Sequence, residues 1–487
     1  MFQQIKNNFE NFKTGDCFVI NDVFFNYHQF YRRVCTIFNL LNQNNVQPND
    51  VIVIYTENHI DTYAAIIAVF FAGATFVPIN SLHPSERNNL ILNQLNIKLT
   101  LSAKSDYYKS IHTSKLEDID FELNLNFSKE NIAYILFTSG STGIPKGVKI
   151  SYQNIESFIV DFHSAMPKLN NLDKFLQIYD LSFDASLHCY LLSLYIGASI
   201  YTVPPEKVKF LQAYKLMEKY SLTFTKFPPS VLSYLKPYFN KINLKNLKYS
   251  LLGGEAFHED IAKEWKKCIP NAELKNVYGP TEATINTHIF DIDINNLTNK
   301  TSNGIISIGK TFGTNKAIII DESGKELSVN QKGELCLGGN QITPGYLNND
   351  AKNKNSFFYK NIENKNIRFY KTGDLAYIDT EGDCIFCGRI DNQIQIQGYR
   401  VELAEIENAA LMFGKSLNYA AISTENNLET TEIYLFVEKF EGNQNELIEH
   451  LRKYLPSYMI PTKIINLEQF PSTSSGKISK QDLKKYL

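Results

Sequence analysis

The sequence has no apolar run long enough to cross a lipid bilayer, and its first residues lack the apolar core of a secretion signal. We therefore expect a cytoplasmic protein that does not bind membranes. An excess of either charge is also missing, because 49 basic side chains are balanced by 51 acidic ones and the formal net charge is −2. A nucleic-acid partner, which a strongly basic surface would indicate, is accordingly not expected.

Cysteine is scarce and irregularly spaced. The seven cysteines give an odd count, which favours reduced thiols over a disulfide framework. Cys384 and Cys387 form a lone C-x-x-C without a second pair of ligands, so a zinc site is not expected there. An internal repeat of about 20 to 50 residues is also absent, which argues against solenoids and propellers.

What the sequence does contain is an alternation of helical patterns with short apolar runs. Runs typical of buried parallel strands occur at residues 51–55, 74–78, 132–137, 199–203, 223–226 and 249–252. The segments between them are long enough for crossover helices, so the sequence predicts a large α/β domain of parallel sheets with flanking helices. Short strands punctuated by Gly, Asp and Asn predict a β-rich subdomain over residues 304–390, and the remaining residues predict a small α+β domain.

The most informative stretch runs from Leu136 to Gly147, where an apolar strand opens into a loop of Gly, Ser and Thr that ends at Lys146. Glycines let backbone N–H groups approach oxyanions, hydroxyls donate further hydrogen bonds, and the lysine supplies positive charge. The stretch is not a Walker A loop, because Lys146 is followed by Gly147 and not by Ser or Thr. It predicts a phosphate-binding loop, with a flexible Ser/Gly linker as the alternative.

This string resembles the phosphate loop of the adenylate-forming (ANL) superfamily, which includes nonribosomal-peptide adenylation domains, acyl-CoA synthetases and luciferases. Further motifs of that family occur in its order along the chain, at residues 71–78, 276–282, 333–339, 370–374, 388–391, 455–461 and 475–478. The resemblance covers nearly the whole chain. It implies an AMP-binding core domain over residues 1–390 and a small, mobile lid domain over residues 391–487, with Asp391 at the hinge.

The resemblance also implies ATP and Mg²⁺ as cofactors, since in this family a carboxylate attacks the α-phosphorus of ATP. Glu282 is expected to hold Mg²⁺ against the phosphates, and Lys477 to bridge the carboxylate and the α-phosphate. With Thr138 they form the expected catalytic set. Tyr278 is expected to stack on the adenine, and Asp374 to bind the ribose hydroxyls. The expected nucleotide contacts are Thr138, Ser139, Gly140, Ser141, Thr142, Gly143, Lys146, Gly254, Asn276, Val277, Tyr278, Gly279, Pro280, Thr281, Asp374, Arg389 and Lys477.

The substrate is indicated by Asp184, which matches the family's aspartate that pairs with the α-amino group of an amino acid. Such a carboxylate selects against acids without that amine, although Asp184 could instead cap the helix that follows it. By resemblance the rest of the pocket is lined by Ala185, His188, Lys226, Leu251, Gly253, Val277, Ile285 and Asn286. Lys226 is the unusual member, and an aspartate- or asparagine-like substrate is one interpretation of it. Alternatively, Lys226 forms a salt bridge within the protein or extends outward, and His188 is either a polar pocket wall or a core histidine.

Together these residues favour a monomeric ligase that activates an amino acid and hands it to the phosphopantetheine thiol of a carrier protein. Because no carrier domain precedes Leu487, we expect a carrier in trans, as in the D-alanine–carrier protein ligases that the chain resembles in size. Gly253 and Lys226 depart from the small apolar pocket expected for alanine. An acyl-CoA-type ligase is the alternative enzyme, which Asp184 disfavours. A non-catalytic adenylate-binding protein is the third interpretation, which the full set of charged groups disfavours.

Overall fold

The computed structural model describes residues 1–104, 107, 109–140, 142–391, 393–416, 418–426, 430–472 and 478–487. The chain forms two compact units. Unit 1 comprises Met1–Asn80, Asn96–Leu136 and Gly147–Ile390, and unit 2 comprises Ser81–Leu95, Phe137–Lys146 and Asp391–Leu487. Over the residues described, no helix combines the length and the apolar character needed to cross a membrane.

The helices and strands are numbered in chain order. The α-helices are α1 (Phe2–Asn11), α2 (Tyr27–Gln43), α3 (Ile60–Phe71), α4 (Ser85–Leu92), α5 (Tyr152–Ser164), α6 (Asp184–Ile196), α7 (Lys209–Lys219), α8 (Pro229–Leu235), α9 (Glu259–Cys268), α10 (Asp350–Ser356), α11 (Leu403–Leu411), α12 (Gln444–Tyr454) and α13 (Lys480–Leu483). The strands are β1 (Asp16–Ile20), β2 (Val23–Asn26), β3 (Val51–Thr56), β4 (Thr75–Asn80), β5 (Ile97–Ser102), β6 (Ser110–His112), β7 (Ile132–Thr138), β8 (Lys146–Ser151), β9 (Lys174–Gln177), β10 (Ser199–Thr202), β11 (Phe224–Phe227), β12 (Tyr249–Gly253), β13 (Glu273–Tyr278), β14 (His288–Asp291), β15 (Thr301–Ser302), β16 (Ile305–Ile306), β17 (Lys310–Thr311), β18 (Lys316–Ile320), β19 (Gly333–Gly338), β20 (Gly345–Tyr346), β21 (Phe357–Ile362), β22 (Lys365–Ile378), β23 (Cys384–Arg389), β24 (Gln393–Ile396), β25 (Tyr399–Glu402), β26 (Tyr419–Glu425), β27 (Thr431–Glu438) and β28 (Lys463–Leu467).

The first sheet of unit 1 has the strand order β17-β14-β13-β12-β11-β9-β10-β1-β2. From β13 to β1 all neighbours pair in parallel, which requires a crossover between strands that follow one another. Helices α6, α7, α8 and α9 lie in these crossovers between β9 and β13. The carboxyl ends of β11, β12 and β13 therefore meet at one edge of the sheet.

The second sheet of unit 1 has the order β20-β8-β7-β4-β3-β5-β6, with parallel pairing among β3, β4, β5, β6 and β7. The crossover between β3 and β4 is α3, and every residue of that helix is buried. One apolar cluster contains Phe18 and Tyr249 of the first sheet together with Phe76 and Leu136 of the second. Burial of these side chains gives both sheets a common core.

The β-rich part of unit 1 is an antiparallel sheet of order β18-β19-β22-β21, with β23 also paired to β22. Ile319, Leu335, Leu337 and Tyr370 lie in its own apolar cluster. The second half of β22 alternates buried and half-buried positions, as expected of a sheet with one covered face. This sheet positions Asp374 and Arg389, which pair in register on β22 and β23.

Unit 2 contains the hairpin β24-β25 and the sheet β26-β27-β28, in which the second pair of strands is parallel. Helices α11 and α12 contribute Ile406, Leu447 and Leu451 to an apolar cluster with Leu435 of β27. Helix α4, from the segment Ser81–Leu95, belongs to the same unit. Unit 2 thus has a hydrophobic core of its own.

The predicted fold class is confirmed: parallel sheets with crossover helices are followed by a β-rich part and by a small α+β part. Element ends differ from the predicted ones by a residue or two, as for β11, because strand ends depend on pairing partners that lie far away in the sequence. The mobility of the C-terminal part stays a prediction.

Candidate active site

The predicted pocket residues of unit 1 lie at the carboxyl edge of the first sheet. Lys226 pairs in register with Leu251, and Gly253 with Val277, at the ends of three parallel strands. Helix α6 begins at Asp184, shortly after β9 of the same sheet. In open α/β sheets ligands bind outside this edge. The topology therefore places these residues where a substrate is expected.

Asp184 carries a buried carboxylate oxygen that lacks a partner. Its Oδ2 is inaccessible to solvent and has no hydrogen-bond partner in the described part of the chain. The alternative role of helix cap is not observed, because Phe183 is the N-cap residue of α6. Burial raises the pKa of Asp184, whereas Thr281 and the charge of Lys226 act in the opposite direction. A buried acceptor without a donor is costly, and an ammonium ion would satisfy it.

Lys226 is a buried cation at the end of β11, only 3% exposed. Its Nζ donates to Asn286 Oδ1 at 2.7 Å and lies 2.8 Å from His188 Nδ1. Burial lowers the pKa of Lys226 to about 8, and burial together with the charge of Lys226 lowers the pKa of His188 well below its usual value. Within the described residues, both hydrogen-bond partners of Lys226 are thus neutral. The side chain neither extends outward nor forms an ion pair with a carboxylate of the described chain.

A strained turn supports the pocket beside Lys226. Thr284 and Ile285 have φ values of +54° and +74°, a region that β-branched residues strongly avoid. The buried side chain of Gln341 holds this turn, since its Nε2 donates to the carbonyls of Thr284 and Asn286 at 3.1 and 2.7 Å. Asn286 is the residue whose side chain accepts from Lys226. The sequence analysis missed Gln341, and no local pattern marks it, because its partners lie more than 50 positions away.

The β-rich part of unit 1 holds the carboxylate predicted to bind ribose. Asp374 is 5% exposed, and Arg389 Nη1 donates to its Oδ1 at 2.6 Å. The hydroxyl of Tyr278 donates to the other oxygen, Oδ2. Burial, and then the charge of Asp374, raise the pKa of Tyr278 well above its usual value. The structure therefore brings the predicted adenine, ribose and arginine positions into one hydrogen-bonded cluster.

The neighbouring segment on β13 is also ordered by side-chain bonds. The Asn276 amide donates to the carbonyls of Ser307 and Ile306 at 2.9 and 3.3 Å. Gly254, with φ of +83°, directly follows β12, while Gly279 and Pro280 follow β13. By resemblance, the backbone around Asn276 and Gly254 is expected to read an adenine edge, and the bonds of the Asn276 side chain within the protein are compatible with that prediction.

Glu282 lies fully buried in a short 3₁₀ turn that spans Thr281–Ala283. The hydroxyl of Tyr346 donates to its Oε1 at 2.8 Å, a contact that the sequence analysis did not foresee. Over the residues described, no three His, Cys, Asp or Glu side chains converge into a metal-binding cluster. Mg²⁺ is commonly held by one or two carboxylates and by substrate phosphates, so the single Glu282 carboxylate fits this ion.

The glycine-rich loop belongs to unit 2. Thr138 is the last residue of β7, and its Oγ1 is buried without a partner in the portion of the chain that is described. Ser139 donates from its hydroxyl to the carbonyl of Arg400 at 2.9 Å. Thr142 is exposed and Lys146 is half-buried at the start of β8. Two predicted contacts, Ser141 and Lys477, lie outside the described residues.

The backbone of this loop is engaged by a carboxylate of the protein itself. The N–H of Gly140 donates to Glu405 Oε2 at 3.3 Å, and the other oxygen of Glu405 accepts from Arg87 in a buried ion pair. A β-carbon at Gly140 would lie 2.1 Å from the carbonyl oxygen of Ile144, so only glycine fits this bend. Glu405 thus occupies a donor that the sequence assigns to phosphate.

Three further predicted positions are Gly143 in the glycine-rich loop, Asp391 at the start of the C-terminal segment, and Ala185 in α6. Gly143 has φ of +81°, and a β-carbon there would lie 3.2 Å from Cβ of Asn408 on α11. Asp391, predicted as the hinge, is the first residue of the C-terminal segment of unit 2, and its Oδ1 accepts from the Gln393 N–H at 3.2 Å. Ala185 follows Asp184 in α6.

Comparison with known proteins gives a consistent result. Residues 6–347 match the family described as AMP-binding enzyme. Zwittermicin A synthase ZmaJ of Bacillus cereus is 30% identical over 463 residues, which cover 91% of this chain and 87% of ZmaJ. Bacitracin synthase 3 of Bacillus licheniformis is 29% identical over 485 residues, which cover 96% of this chain but only 7% of that synthase. The Vibrio cholerae adenylation domain AlmE, solved in complex with glycyl-adenosine-5'-phosphate, has the same fold, with a TM-score of 0.85 at 23% identity over 99% of this chain and 97% of AlmE.

Proposed function

This chain belongs to the AMP-binding enzyme family, and from that premise we propose that it activates an amino acid with ATP and transfers it to the phosphopantetheine thiol of a carrier protein in trans. In the first step a carboxylate oxygen of the amino acid attacks the α-phosphorus, and the bond to pyrophosphate breaks. In the second step the thiol sulfur attacks the acyl carbon, AMP leaves, and the thiol proton passes to solvent.

The observation that carries the amino-acid assignment is the unpartnered Oδ2 of Asp184. An α-ammonium group placed at the carboxyl edge of the first sheet would give this buried oxygen its missing donor. A fatty or aryl acid would leave the carboxylate uncompensated. This asymmetry favours an amino acid over the substrates of an acyl-CoA-type ligase.

The nucleotide is assigned to two sets of residues, one in each unit. In unit 1, Asp374 would accept bonds from the ribose hydroxyls, with Arg389 holding the carboxylate in place. Tyr278 would stack on the adenine while its hydroxyl stays bonded to Asp374. Glu282 would hold Mg²⁺, which, when bound, neutralises phosphate charge as pyrophosphate leaves. In unit 2, the loop of residues 137–146 would supply backbone and hydroxyl donors to the phosphates.

Lys477 and Asp391 enter the proposal by resemblance. Lys477 would bridge the attacking carboxylate and the α-phosphate as negative charge develops between them. Asp391 would serve as the hinge between a core domain over residues 1–390 and a lid domain over residues 391–487. The two half-reactions then need different lid positions, because the lysine and the phosphopantetheine arm each require access to the adenylate.

The test is ATP–pyrophosphate exchange with all amino acids in both chiralities, with fatty and benzoic acids in parallel. We expect exchange with one or a few amino acids, and a loss of about 10²- to 10³-fold in Lys477→Ala, because a preorganised charged donor is removed. Lys484→Ala, which removes an exposed lysine of the same C-terminal segment, is the matched control and should keep full activity. Exchange driven by fatty or benzoic acids alone would refute the amino-acid assignment.

A further inference from the structure

The predicted pocket contains a second buried ionisable group besides Asp184, and this group, Lys226, can only donate. Lys226 in its charged form has three N–H bonds and no acceptor site. Two of these bonds point to Asn286 Oδ1 and His188 Nδ1. Its third N–H has no hydrogen-bond partner among the residues described.

The tautomer of His188 follows from its contact with Lys226. A charged lysine can only donate, so Nδ1 of His188 must accept, and the proton of the neutral imidazole then lies on Nε2. That Nε2 is buried and has no hydrogen-bond partner in the part of the chain that the structure describes. Because Nδ1 and Nε2 lie on opposite sides of the imidazole ring, this Nε2–H points away from Lys226, and His188 holds Lys226 in position through Nδ1. Ring contacts with Phe158 and Phe162 fix the imidazole.

The charges of the pocket also indicate a substrate with an acidic side chain. Asp184 carries a negative charge and Lys226 a positive charge. The charge of Lys226 lowers the pKa of Asp184, and the charge of Asp184 raises the pKa of Lys226. An amino acid with an acidic side chain would place its α-ammonium on Asp184 and its side-chain carboxylate on Lys226, while the α-carboxylate reacts with ATP. A small apolar side chain would leave Lys226 a buried cation without an anion bonded to it, which is unfavourable.

We propose that the side chain read by Lys226 is a carboxylate, so that the substrate is an acidic amino acid of the aspartate and glutamate class. This inference rests on the proposed function and narrows the earlier choice between aspartate-like and asparagine-like substrates. An amide would offer Lys226 only a neutral oxygen, whereas a carboxylate accepts the hydrogen bond and also supplies the opposite charge.

The experiment compares pyrophosphate exchange with aspartate, glutamate, asparagine, glutamine, alanine and glycine, in both chiralities where they exist, in the intact wild-type chain and in Lys226→Met. We expect kcat/KM for an acidic amino acid to exceed that of its amide by about tenfold or more in the wild type. In Lys226→Met, exchange with the acid should fall by about 30-fold or more, and the preference over the amide should vanish, because a buried charge partner is lost. Methionine keeps the length of the side chain in its buried site.

The matched control is Lys275→Met. Lys275 is also a buried lysine of the first sheet, 5% exposed, but it pairs with Glu273 at 3.0 Å within the protein. Its replacement should leave the acid-to-amide ratio unchanged. If the wild type exchanges only with neutral amino acids, the side-chain inference is wrong while the proposed function stands. If no amino acid supports exchange although the melting temperature rises with ATP, the proposed function itself fails.

Discussion

The amino-acid pocket of unit 1 and the glycine-rich loop of unit 2 differ in how their polar groups are satisfied. In the pocket, Asp184 Oδ2 and His188 Nε2 are buried without partners among the described residues. In the loop, the N–H of Gly140 already donates to Glu405, whose carboxylate is also paired with Arg87. Over the part of the chain described, the pocket therefore holds an unmatched carboxylate oxygen and imidazole nitrogen, whereas the loop combines one unmatched hydroxyl, Thr138 Oγ1, with a backbone donor that a protein carboxylate already occupies.

The difference follows from how each region is built. The pocket residues project from parallel strands and from the start of α6, elements held in place by the core, so unmatched polar atoms can be kept in position at a cost in stability. In the loop, the backbone donor at Gly140 is already bonded to Glu405, whose carboxylate is held by Arg87. We therefore expect the pocket to determine which amino acid is bound. We expect the Glu405 carboxylate and the phosphates of ATP to compete for the loop.

The largest effect should come from Asp184→Asn, which tests whether the unmatched carboxylate of the pocket binds the substrate. The amide keeps the shape but removes the charge that an α-ammonium needs, so kcat/KM for amino acids in pyrophosphate exchange should fall by about 100-fold or more. Asp173→Asn is the control, because Asp173 is a fully buried carboxylate that bonds to Thr223 and Lys248 within the protein. That variant should lower the melting temperature without changing amino-acid preference. Equal losses of selectivity in both would remove the special role of Asp184.

A second effect, about tenfold, should appear in the pH profile, because the pocket contains a titrating cation. The pKa of Lys226 is lowered to about 8, so the lysine is charged below this pH and neutral above it. Since the charged form is the one that binds a carboxylate, kcat/KM for an acidic amino acid should fall by about tenfold from pH 7 to pH 9. Lys226→Met should lack this step. A wild-type profile that is flat through pH 8 would contradict the assignment.

The smallest effect should come from the loop. In Glu405→Gln the competing carboxylate is lost, so the KM for ATP should fall by about three- to tenfold, which corresponds to about 0.7 to 1.4 kcal/mol, the usual net contribution of one hydrogen bond. Removing one partner of a buried ion pair also destabilises a protein. The double variant Arg87→Met/Glu405→Gln therefore serves as control, because it removes both charges, and it should show the same lower KM. An unchanged KM in both would mean that Glu405 and phosphate do not compete.

How much could be predicted differs between features. The α/β class, the strands around β3, β4 and β7 and the position of the glycine-rich loop followed from local patterns, since periodicity and turn residues act over a few positions. Gln341 and Tyr346 could not be found this way, because each is defined by a partner more than 50 residues away. The same holds for Glu405, which contacts Gly140 across 265 positions.

The sequence by itself determined the family, the chemical groups available for ATP and the presence of a carboxylate for an amino group, because motifs carry residue types in a recognisable order. The tertiary structure alone decided which hydrogen-bond partners those groups have. It left Asp184 Oδ2 without a partner among the described residues, gave Lys226 two neutral neighbours and gave the loop a carboxylate of its own. Burial and hydrogen-bond partners arise from contacts between distant segments, and these contacts form only when the chain folds.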